Sequence, residues 1–410
     1  MKYSIPELVD VPAHVPNDRV YDFDFTHPPC MEDDVHLAWL RVRDETPPDL
    51  FWTPRNGGHW VATRGAPIKE LQLDHLHFSH RHFSLPVYPG SGNFSVLMGN
   101  DPPKHTDYRK IIMPNFLPKY VEELEKFARR VAIERIEEII DRGECEFSYE
   151  FARYVPAAVV MNLFGLPISD LPMLFPMADA LVRPHSIAER KETVLSMDEY
   201  LRPWIEERRR RPGDDLLSHI VKSRIGERAL TEPEMLSLGH VLFAGLDTVG
   251  SMMGFFARFL AMHPSHRREI VDHPEIRRNA VEELIRRHGI TNTVRYVVND
   301  MDFYGAALKS GDIIMVPNLY YGLDDRIVDS PLDVNFHRDQ FPLAAFGNGP
   351  HICPGNILAR RELAIFLTEW LTRIPDFQIK PGTTPEVHCG NVIGMMKLEL
   401  VWDPSGAPRN

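Results

Sequence analysis

Apolar residues recur at helical spacing along much of the chain. Between Pro118 and Gly143 they lie three or four residues apart, and Gly143 stands where a helix would end. This spacing predicts a helix with one buried face. A second apolar segment begins with the capping-box pattern Thr231-Glu-Pro-Glu234 and continues unbroken to Pro264. It predicts one helix of about 30 residues, roughly 45 Å long at about 1.5 Å per residue.

Strand-like segments are few and short. They lie at residues 60–63, 294–298, 312–316 and 397–402. The 35 prolines are scattered, and the chain has no internal repeat, low-complexity run or Gly/Ser linker. We therefore predict a mainly α fold with a minor β portion, in a single domain over residues 1–410.

Composition excludes several classes of function. The chain has 410 residues, 43% hydrophobic and 25% charged, which is typical of a globular protein. With 46 Lys and Arg against 58 Asp and Glu, its net charge of −12 does not favour nucleic-acid binding. Four cysteines without a CxxC pair predict neither a disulfide framework nor a zinc site, and they fit a reducing cytoplasm.

The N-terminus lacks a signal-peptide pattern and no run of about 18 apolar residues is present, so we expect no membrane span.

Residues 346–355 carry the most informative pattern, Phe-Gly-Asn-Gly-Pro-His-Ile-Cys-Pro-Gly, and a helical run follows over 357–374. Glycines allow the backbone to approach a flat ligand closely, and backbone N–H groups can stabilise a thiolate. Cys353 could thus be a single soft anionic ligand. A lone cysteine near glycines is more commonly a small buried apolar residue.

The complete pattern resembles the cysteine-ligand loop of the cytochrome P450 family. Three other family motifs have counterparts: the oxygen-activating helix in Ala244-Gly-Leu-Asp-Thr248, the Glu-x-x-Arg motif in Glu283-Leu-Ile-Arg286, and its partner segment in Phe336-His-Arg338. Within the family, the chain looks most similar to the soluble bacterial camphor hydroxylase subfamily. The resemblance implies the P450 fold, with the cofactor between the long helix and the cysteine loop.

The resemblance also implies haem b (iron protoporphyrin IX) as cofactor, with Cys353 as the axial thiolate ligand of the iron. Phe346 and Gly347 belong to the same cofactor-binding loop. The residues that match the family's haem-propionate partners are His105, Arg109, Arg295 and His351. His105 and Arg109 are spaced i, i+4, which places both on one helix face, although such a couple can also be a plain surface pair.

Asp247 and Thr248 match the family's acid and alcohol, which deliver protons during dioxygen activation. Arg183 matches a residue that holds this acid when the site is closed, although Phe175 stands where the camphor enzyme has a lysine.

Glu283 and Arg286 are spaced i, i+3, which by itself indicates only an exposed pair. The match with Arg338 implies instead a buried structural network that supports the haem loop. We expect folding or haem retention to depend on it.

His240 lies two helical turns before Asp247 and should face the haem side of the helix, where the camphor enzyme has an apolar residue. It would contact substrate or pocket water, or else bond a neighbouring carbonyl away from the substrate. We infer a mostly apolar pocket, which predicts a substrate of terpenoid or norisoprenoid size. The candidate pocket residues are His240, Phe243, Ala244, Thr291, Val392 and Asn93.

These inferences predict a cytoplasmic haem-thiolate monooxygenase that uses O₂ and two electrons from NADH, delivered by a ferredoxin reductase and a [2Fe-2S] ferredoxin. Local cations can steer an acidic ferredoxin despite the negative net charge. The predicted redox-partner face comprises Arg109, Lys110, Arg360 and Arg361. A peroxide-driven peroxygenase is an alternative, but that type generally replaces the acid and alcohol pair. A haem-based sensor or carrier without turnover is a second alternative, which would not need Asp247 and Thr248.

Overall fold

A computed structural model describes residues 8–31, 34–47, 49–82, 84–87 and 95–406 of the chain. About 52% of the chain is helical and the sheet content is small, which confirms the predicted mainly α fold with a minor β portion. The helices of the described residues are α1 (Val35–Glu45), α2 (Gly65–Leu73), α3 (Lys104–Ile112), α4 (Pro118–Ile139), α5 (Tyr154–Phe164), α6 (Leu171–Val182), α7 (Ile187–Arg210), α8 (Leu216–Lys222), α9 (Glu232–Gly239), α10 (Val241–Gly245), α11 (Thr248–Met262), α12 (Pro264–Asp272), α13 (Arg277–Arg287), α14 (Leu319–Gly322) and α15 (Asn356–Arg373).

The largest sheet among the described residues has five strands in the order β1-β2-β10-β7-β3. Its strands pair antiparallel except for β2 and β10, which are parallel. The strands are β1 (Leu50–Thr53), β2 (His59–Ala62), β3 (Phe78–Ser79), β4 (Glu144–Glu146), β5 (Arg224–Ile225), β6 (Arg228–Ala229), β7 (Asn292–Val297), β8 (Met301–Phe303), β9 (Ala306–Leu308), β10 (Ile313–Pro317), β11 (Gln378–Ile379), β12 (Glu386–His388), β13 (Gly394–Lys397) and β14 (Glu399–Val401). The four predicted strands correspond to β2, β7, β10 and β14, the last shorter than expected.

The predicted helix from Pro118 forms as α4, with its apolar stripe buried against α15 and α5. It ends in a short 3₁₀ turn, and Gly143 adopts φ of 72°, a left-handed conformation that glycine reaches without a Cβ clash. Spacing alone therefore predicted both the face and the end of this element.

The prediction of one uninterrupted helix from Thr231 to Pro264 is wrong. The capping box at Thr231 and Glu234 forms, but the segment is divided into α9, α10 and α11, with interruptions at His240 and at Leu246–Asp247. Asp247 has φ of −122° and ψ of −47°, outside the helical region. Its carboxylate pairs with Arg183, and the Thr248 hydroxyl donates to the carbonyl of Ala244 at 3.3 Å. These side-chain interactions compete with regular backbone bonding at the break.

By length and composition, residues 232–262 satisfy the test for a membrane-crossing helix, and in the described residues this is the one segment that does. The segment is not an unbroken apolar run, because Asp247 and Arg258 lie within it. About 72% of the apolar window is buried inside the protein, where α9 to α11 pass through the core. A central core helix satisfies the same test because it too is apolar on most sides.

Candidate functional site: a cysteine loop facing buried cations

The loop that precedes α15 presents Cys353 from a tightly bonded turn. The Cys353 N–H donates to the carbonyl of Phe346 at 2.8 Å, and the Arg360 guanidinium lies 4.5 Å from the centre of the Phe346 ring. Gly347 has φ of 72°, which permits the reversal of the chain. Asn348 donates from Nδ2 to Oε1 of Gln72 at 2.7 Å and so fastens the loop to α2.

Cys353 is partly buried, and desolvation of its thiol raises the pKa of that group. A hydrogen bond from the Gly355 N–H and the charges of Arg109 and Arg360 act in the opposite direction, because they stabilise the thiolate. A cationic metal at the sulfur would add to these groups and favour the thiolate outright. The loop therefore has the donor chemistry of a single soft metal ligand.

Four residues predicted to bind haem propionates lie close to one another. The ring centre of His105 lies 4.1 Å from that of His351. Arg109 and Arg295 are near enough to lower the pKa of His351, for which burial is the largest cause. Asp101 provides negative charge, but its Oδ1 is 3.9 Å from Nε2 of His351, beyond hydrogen-bond reach.

These groups suit a carboxylate ligand, because several of their buried polar atoms have no hydrogen-bond partner. His105 Nδ1 and His351 Nε2 are both buried without a hydrogen bond in the described residues. No described carboxylate comes within 4.0 Å of the guanidinium of Arg109 or of Arg295. Burial lowers the pKa of Arg295 to about 10, so this side chain remains a cation at neutral pH. Buried donors and cations of this kind require an anion, and haem propionates would supply one.

Asp247 and Thr248 stand together at the break between α10 and α11, as their sequence spacing requires. Asp247 is buried and forms a bidentate pair with Arg183, at 3.0 Å from Nη1 to Oδ2 and 2.6 Å from Nη2 to Oδ1. Burial opposes ionisation of this carboxyl, but the charge and hydrogen bonds of Arg183 outweigh it and lower the pKa of Asp247. The acid is therefore held as a carboxylate by an arginine 64 residues away in sequence.

Two partners in this buried network were missed by sequence reasoning. Asp179 of α6 accepts from Nη2 of Arg183 at 2.8 Å, and Arg153 donates to Asp179 at 2.9 Å. Phe175, which replaces the lysine of the camphor enzyme, lies 4.7 Å beneath the Arg153 guanidinium. The i, i+4 spacing of Asp179 and Arg183 was the one local signal that could have revealed part of the network.

The structure joins Glu283, Arg286 and Arg338. Arg286 donates from Nε and Nη2 to the two carboxylate oxygens of Glu283 at 2.7 and 2.8 Å, and Arg338 Nε donates to Oε1 at 2.9 Å. The Arg286 and Glu283 side chains are both fully buried. Remaining Arg286 and Arg338 donors bond backbone carbonyls of Gly322 and residues 329–333. The network fixes the loop of residues 329–333 to α13.

The predicted pocket residues lie on separate elements. Phe243 is buried on α10, next to Ala244. Thr291 and Val392 pair as an isolated antiparallel bridge. The Thr291 hydroxyl already donates to the carbonyl of Ala345 at 3.2 Å and accepts from Nδ2 of Asn318 at 2.7 Å. Asn93 lies outside the described residues.

His240 is buried, and its Nε2 lies 2.7 Å from Oδ1 of Asp198 on α7. The predicted partners of His240 were substrate, pocket water or a neighbouring carbonyl, and this carboxylate was not among them. A contact between His240 and substrate stays a prediction.

The four residues of the predicted redox-partner face differ in exposure. Lys110 and Arg361 have side chains 73% and 58% exposed, with Asp107 and Glu125 as their nearest acidic neighbours at 3.9 and 3.4 Å. Arg360 is only 30% exposed and donates from Nε to Glu282 at 2.6 Å. Arg109 is partly buried near Cys353. Lys110 and Arg361 are therefore the better placed of the four to attract a partner from solution.

Comparison with known proteins agrees with this geometry. The model of the family described as Cytochrome P450 matches residues 271–399. The chain is 32% identical over 403 residues to a probable cytochrome P450 127A1 of Sinorhizobium fredii. This alignment covers 96% of this chain and 97% of that protein.

Two solved structures share the fold along nearly the whole chain. CYP101J2 is 34% identical with a TM-score of 0.88, covering 97% of this chain and 100% of the other. CYP101C1 is 35% identical with a TM-score of 0.87, covering 96% and 100%. Both belong to the camphor-type branch, which confirms the resemblance predicted from the motifs. Identity of this extent, together with the cysteine loop and its cationic surroundings, shows that the chain belongs to the cytochrome P450 family, a family of haem b monooxygenases.

Proposed function

We propose that this monooxygenase hydroxylates a small apolar substrate of terpenoid or norisoprenoid size. In the proposed reaction, substrate, O₂, NADH and a proton yield hydroxylated product, water and NAD⁺. Electrons pass from NADH through a ferredoxin reductase and a [2Fe-2S] ferredoxin in the cytoplasm. The observation that carries the proposal is the buried Arg183 and Asp247 pair beside Thr248 at the helix break, since a sensor or carrier would not need it.

Cys353 would hold the haem iron, and His105, Arg109, Arg295 and His351 would hold the haem propionates. When bound there, haem supplies dioxygen activation, and the thiolate favours O–O cleavage. The buried cations would neutralise the propionates and fix their orientation.

Asp247 and Thr248 are the proposed proton-delivery residues. The Asp247 carboxylate is held by Arg183, so it can exchange protons with the interior only when that pair loosens or water enters. The Thr248 hydroxyl makes only a long bond to the Ala244 carbonyl, at 3.3 Å, and can reorient toward another acceptor. Together they would form a proton path at the break between α10 and α11.

Apolar contacts supply most of the proposed substrate affinity. Burying about 300 Å² of apolar ligand surface at about 25 cal/mol per Å² contributes roughly 7 kcal/mol before association costs. One hydrogen bond adds only about 0.5–1.5 kcal/mol. The Thr291 hydroxyl is already satisfied by protein groups, which leaves its methyl group for contact with an apolar substrate.

Two measurements test the proposed function. The ferrous protein under carbon monoxide should show the strongly red-shifted Soret band of thiolate-ligated haem, and Cys353→His should lose this shift while Cys30→Ser, at an exposed cysteine, keeps it. A spectrum typical of histidine ligation in the native protein would contradict the Cys353 assignment.

A terpenoid and norisoprenoid screen by the low-spin to high-spin Soret shift should then identify ligands. Turnover of the best ligand is measured with NADH, reductase and ferredoxin, and separately with hydrogen peroxide alone. Product formed only with peroxide would favour the peroxygenase alternative, and ligand binding without product in either assay would favour a sensor.

A further inference from the structure

Next to the proposed propionate site, a third imidazole that no family motif indicated packs against His351. The ring centres of His80 and His351 are 3.9 Å apart with an interplanar angle of 24°, a stacked arrangement. His351 also contacts His105 at 4.1 Å, so it is the middle ring of three. In the described part of the chain no group of His, Cys, Asp or Glu is arranged to hold a metal ion, so these rings do not form a metal site.

His80 is itself rigidly held. Its side chain is buried, and Nδ1 donates to the carbonyl of Met98 at 2.8 Å. Its backbone N–H donates to Oδ1 of Asp101 at 2.9 Å. Ring and backbone are therefore fixed by different partners, and the ring cannot rotate without breaking a buried hydrogen bond.

His351 depends on such support. It ends a single 3₁₀ turn, Gly349–His351, which offers little backbone rigidity. Its Nε2 is buried without a partner, and the nearest carboxylate oxygen is too far for a hydrogen bond at 3.9 Å. Its two neighbouring rings, the stacked His80 and the tilted His105, therefore define this ring plane and hence the direction of Nε2.

We propose that His80 is a haem-positioning residue, whose ring supports the ring of His351 and holds its Nε2 toward a propionate. This inference rests on the proposed role of His351 as a propionate partner. His80 needs no contact with the haem to act in this way, because it works through the orientation of His351.

Transfer of haem from the loaded full-length protein to excess apomyoglobin tests the proposal. Replacing His351 with Ala removes a hydrogen bond to a charged group and should speed haem release about 10- to 100-fold. His80→Ala removes the stacked ring and should speed it roughly 2- to 10-fold. The double variant should release haem no faster than His351→Ala alone, because His80 acts only through His351.

Two further variants separate positioning from general destabilisation. His80→Phe keeps a flat ring that can stack, although it loses the hydrogen bond to Met98, so it should release haem more slowly than His80→Ala. His77→Ala alters a half-exposed histidine of the same segment, paired with Asp74, and should have no effect.

The outcomes are distinguishable. If His351→Ala accelerates release but His80→Ala does not, or if their effects multiply in the double variant, His80 does not act through His351 and the inference is overturned. Release from His80→Phe as fast as from His80→Ala would also overturn it. If His351→Ala itself releases haem at the wild-type rate, the propionate assignment fails and this inference fails with it.

Discussion

At the scale of single residues, Thr248 and Thr372 make similar local bonds in different places. Each hydroxyl donates to the carbonyl four residues earlier, Thr248 at 3.3 Å and Thr372 at 2.6 Å. Thr372 is exposed near the end of α15, whereas Thr248 adjoins the buried Asp247. The shared local geometry shows that position, and not residue type, gives Thr248 its proposed role.

Thr248→Ala should therefore uncouple the enzyme. With reductase and ferredoxin it should still consume NADH but release hydrogen peroxide instead of product, because a positioned proton donor contributes about 10²- to 10⁴-fold. Product and peroxide per NADH are the quantities to measure, with Thr372→Ala as the matched control. Unchanged product per NADH in Thr248→Ala would contradict the proposed proton delivery.

His59 of β2 makes stability depend on pH. Burial keeps the imidazole neutral and lowers its pKa to about 3, whereas an unfolded chain takes up the proton near pH 6.5. Between these two pKa values the unfolded state binds more protons than the folded state. The contribution of His59 to the free energy of unfolding is therefore complete above pH 6.5 and is lost as the pH drops toward 3. The slope is at most about 1.4 kcal/mol per pH unit.

We expect His59→Phe to flatten this dependence. Urea unfolding of the apoprotein between pH 7 and pH 4 measures it, with His273→Ala, at a side chain 61% exposed, as control. A slope for His59→Phe equal to that of the wild type would show that other groups set the acid sensitivity.

At the scale of elements, the network around Glu283 connects α13 with the loop before the cysteine segment. Glu283→Gln should destabilise the protein by about 3–5 kcal/mol, because it leaves the fully buried Arg286 without its counter-charge. We expect lower haem content as well, since the fixed loop precedes the Cys353 segment.

Urea unfolding and the haem-to-protein ratio check this prediction. Lys309→Gln is the control, because its pair with Asp300 is exposed and such pairs contribute about 0–1 kcal/mol. Equal stability losses in the two variants would show that the buried network does not support the fold.

At the scale of the whole molecule, the net charge is −12, but Lys110 and Arg361 are exposed cations. Lys110 lies on α3 and Arg361 on α15, while Ile352 and Ile357, 38% and 36% exposed, flank Cys353 in sequence. If the proposed redox-partner face brings these cations and apolar side chains together, it would suit an acidic partner with an apolar centre.

Rising salt should slow reduction by the ferredoxin, since the Debye length is only about 10 Å at 0.1 M ionic strength. Lys110→Ala and Arg361→Ala should each reduce the salt dependence, whereas Lys397→Ala, on β13, should not. Stopped-flow reduction rates across ionic strength measure the effect. Rates indifferent to salt would indicate an apolar docking site.

The sequence alone determined the features that depend on neighbours within a few residues. The buried face and glycine end of α4, the capping box at Thr231, and the cysteine loop with its helix are all local, since a helix brings only residues three or four apart together. Family motifs added Glu283 with Arg338, 55 residues apart. The family, fold class and cofactor followed from these.

Only the tertiary structure decided how distant side chains meet. It joined His240 to Asp198 and stacked His80 on His351, contacts 42 and 271 residues apart in sequence. It showed that Arg183 pairs with Asp247, a contact that only the family resemblance had implied. It also broke the central helix, which the apolar pattern had predicted to be continuous. Hydrophobic spacing records which face is buried, but the partner of a buried charge or ring is chosen by packing between elements, and that choice leaves no local pattern.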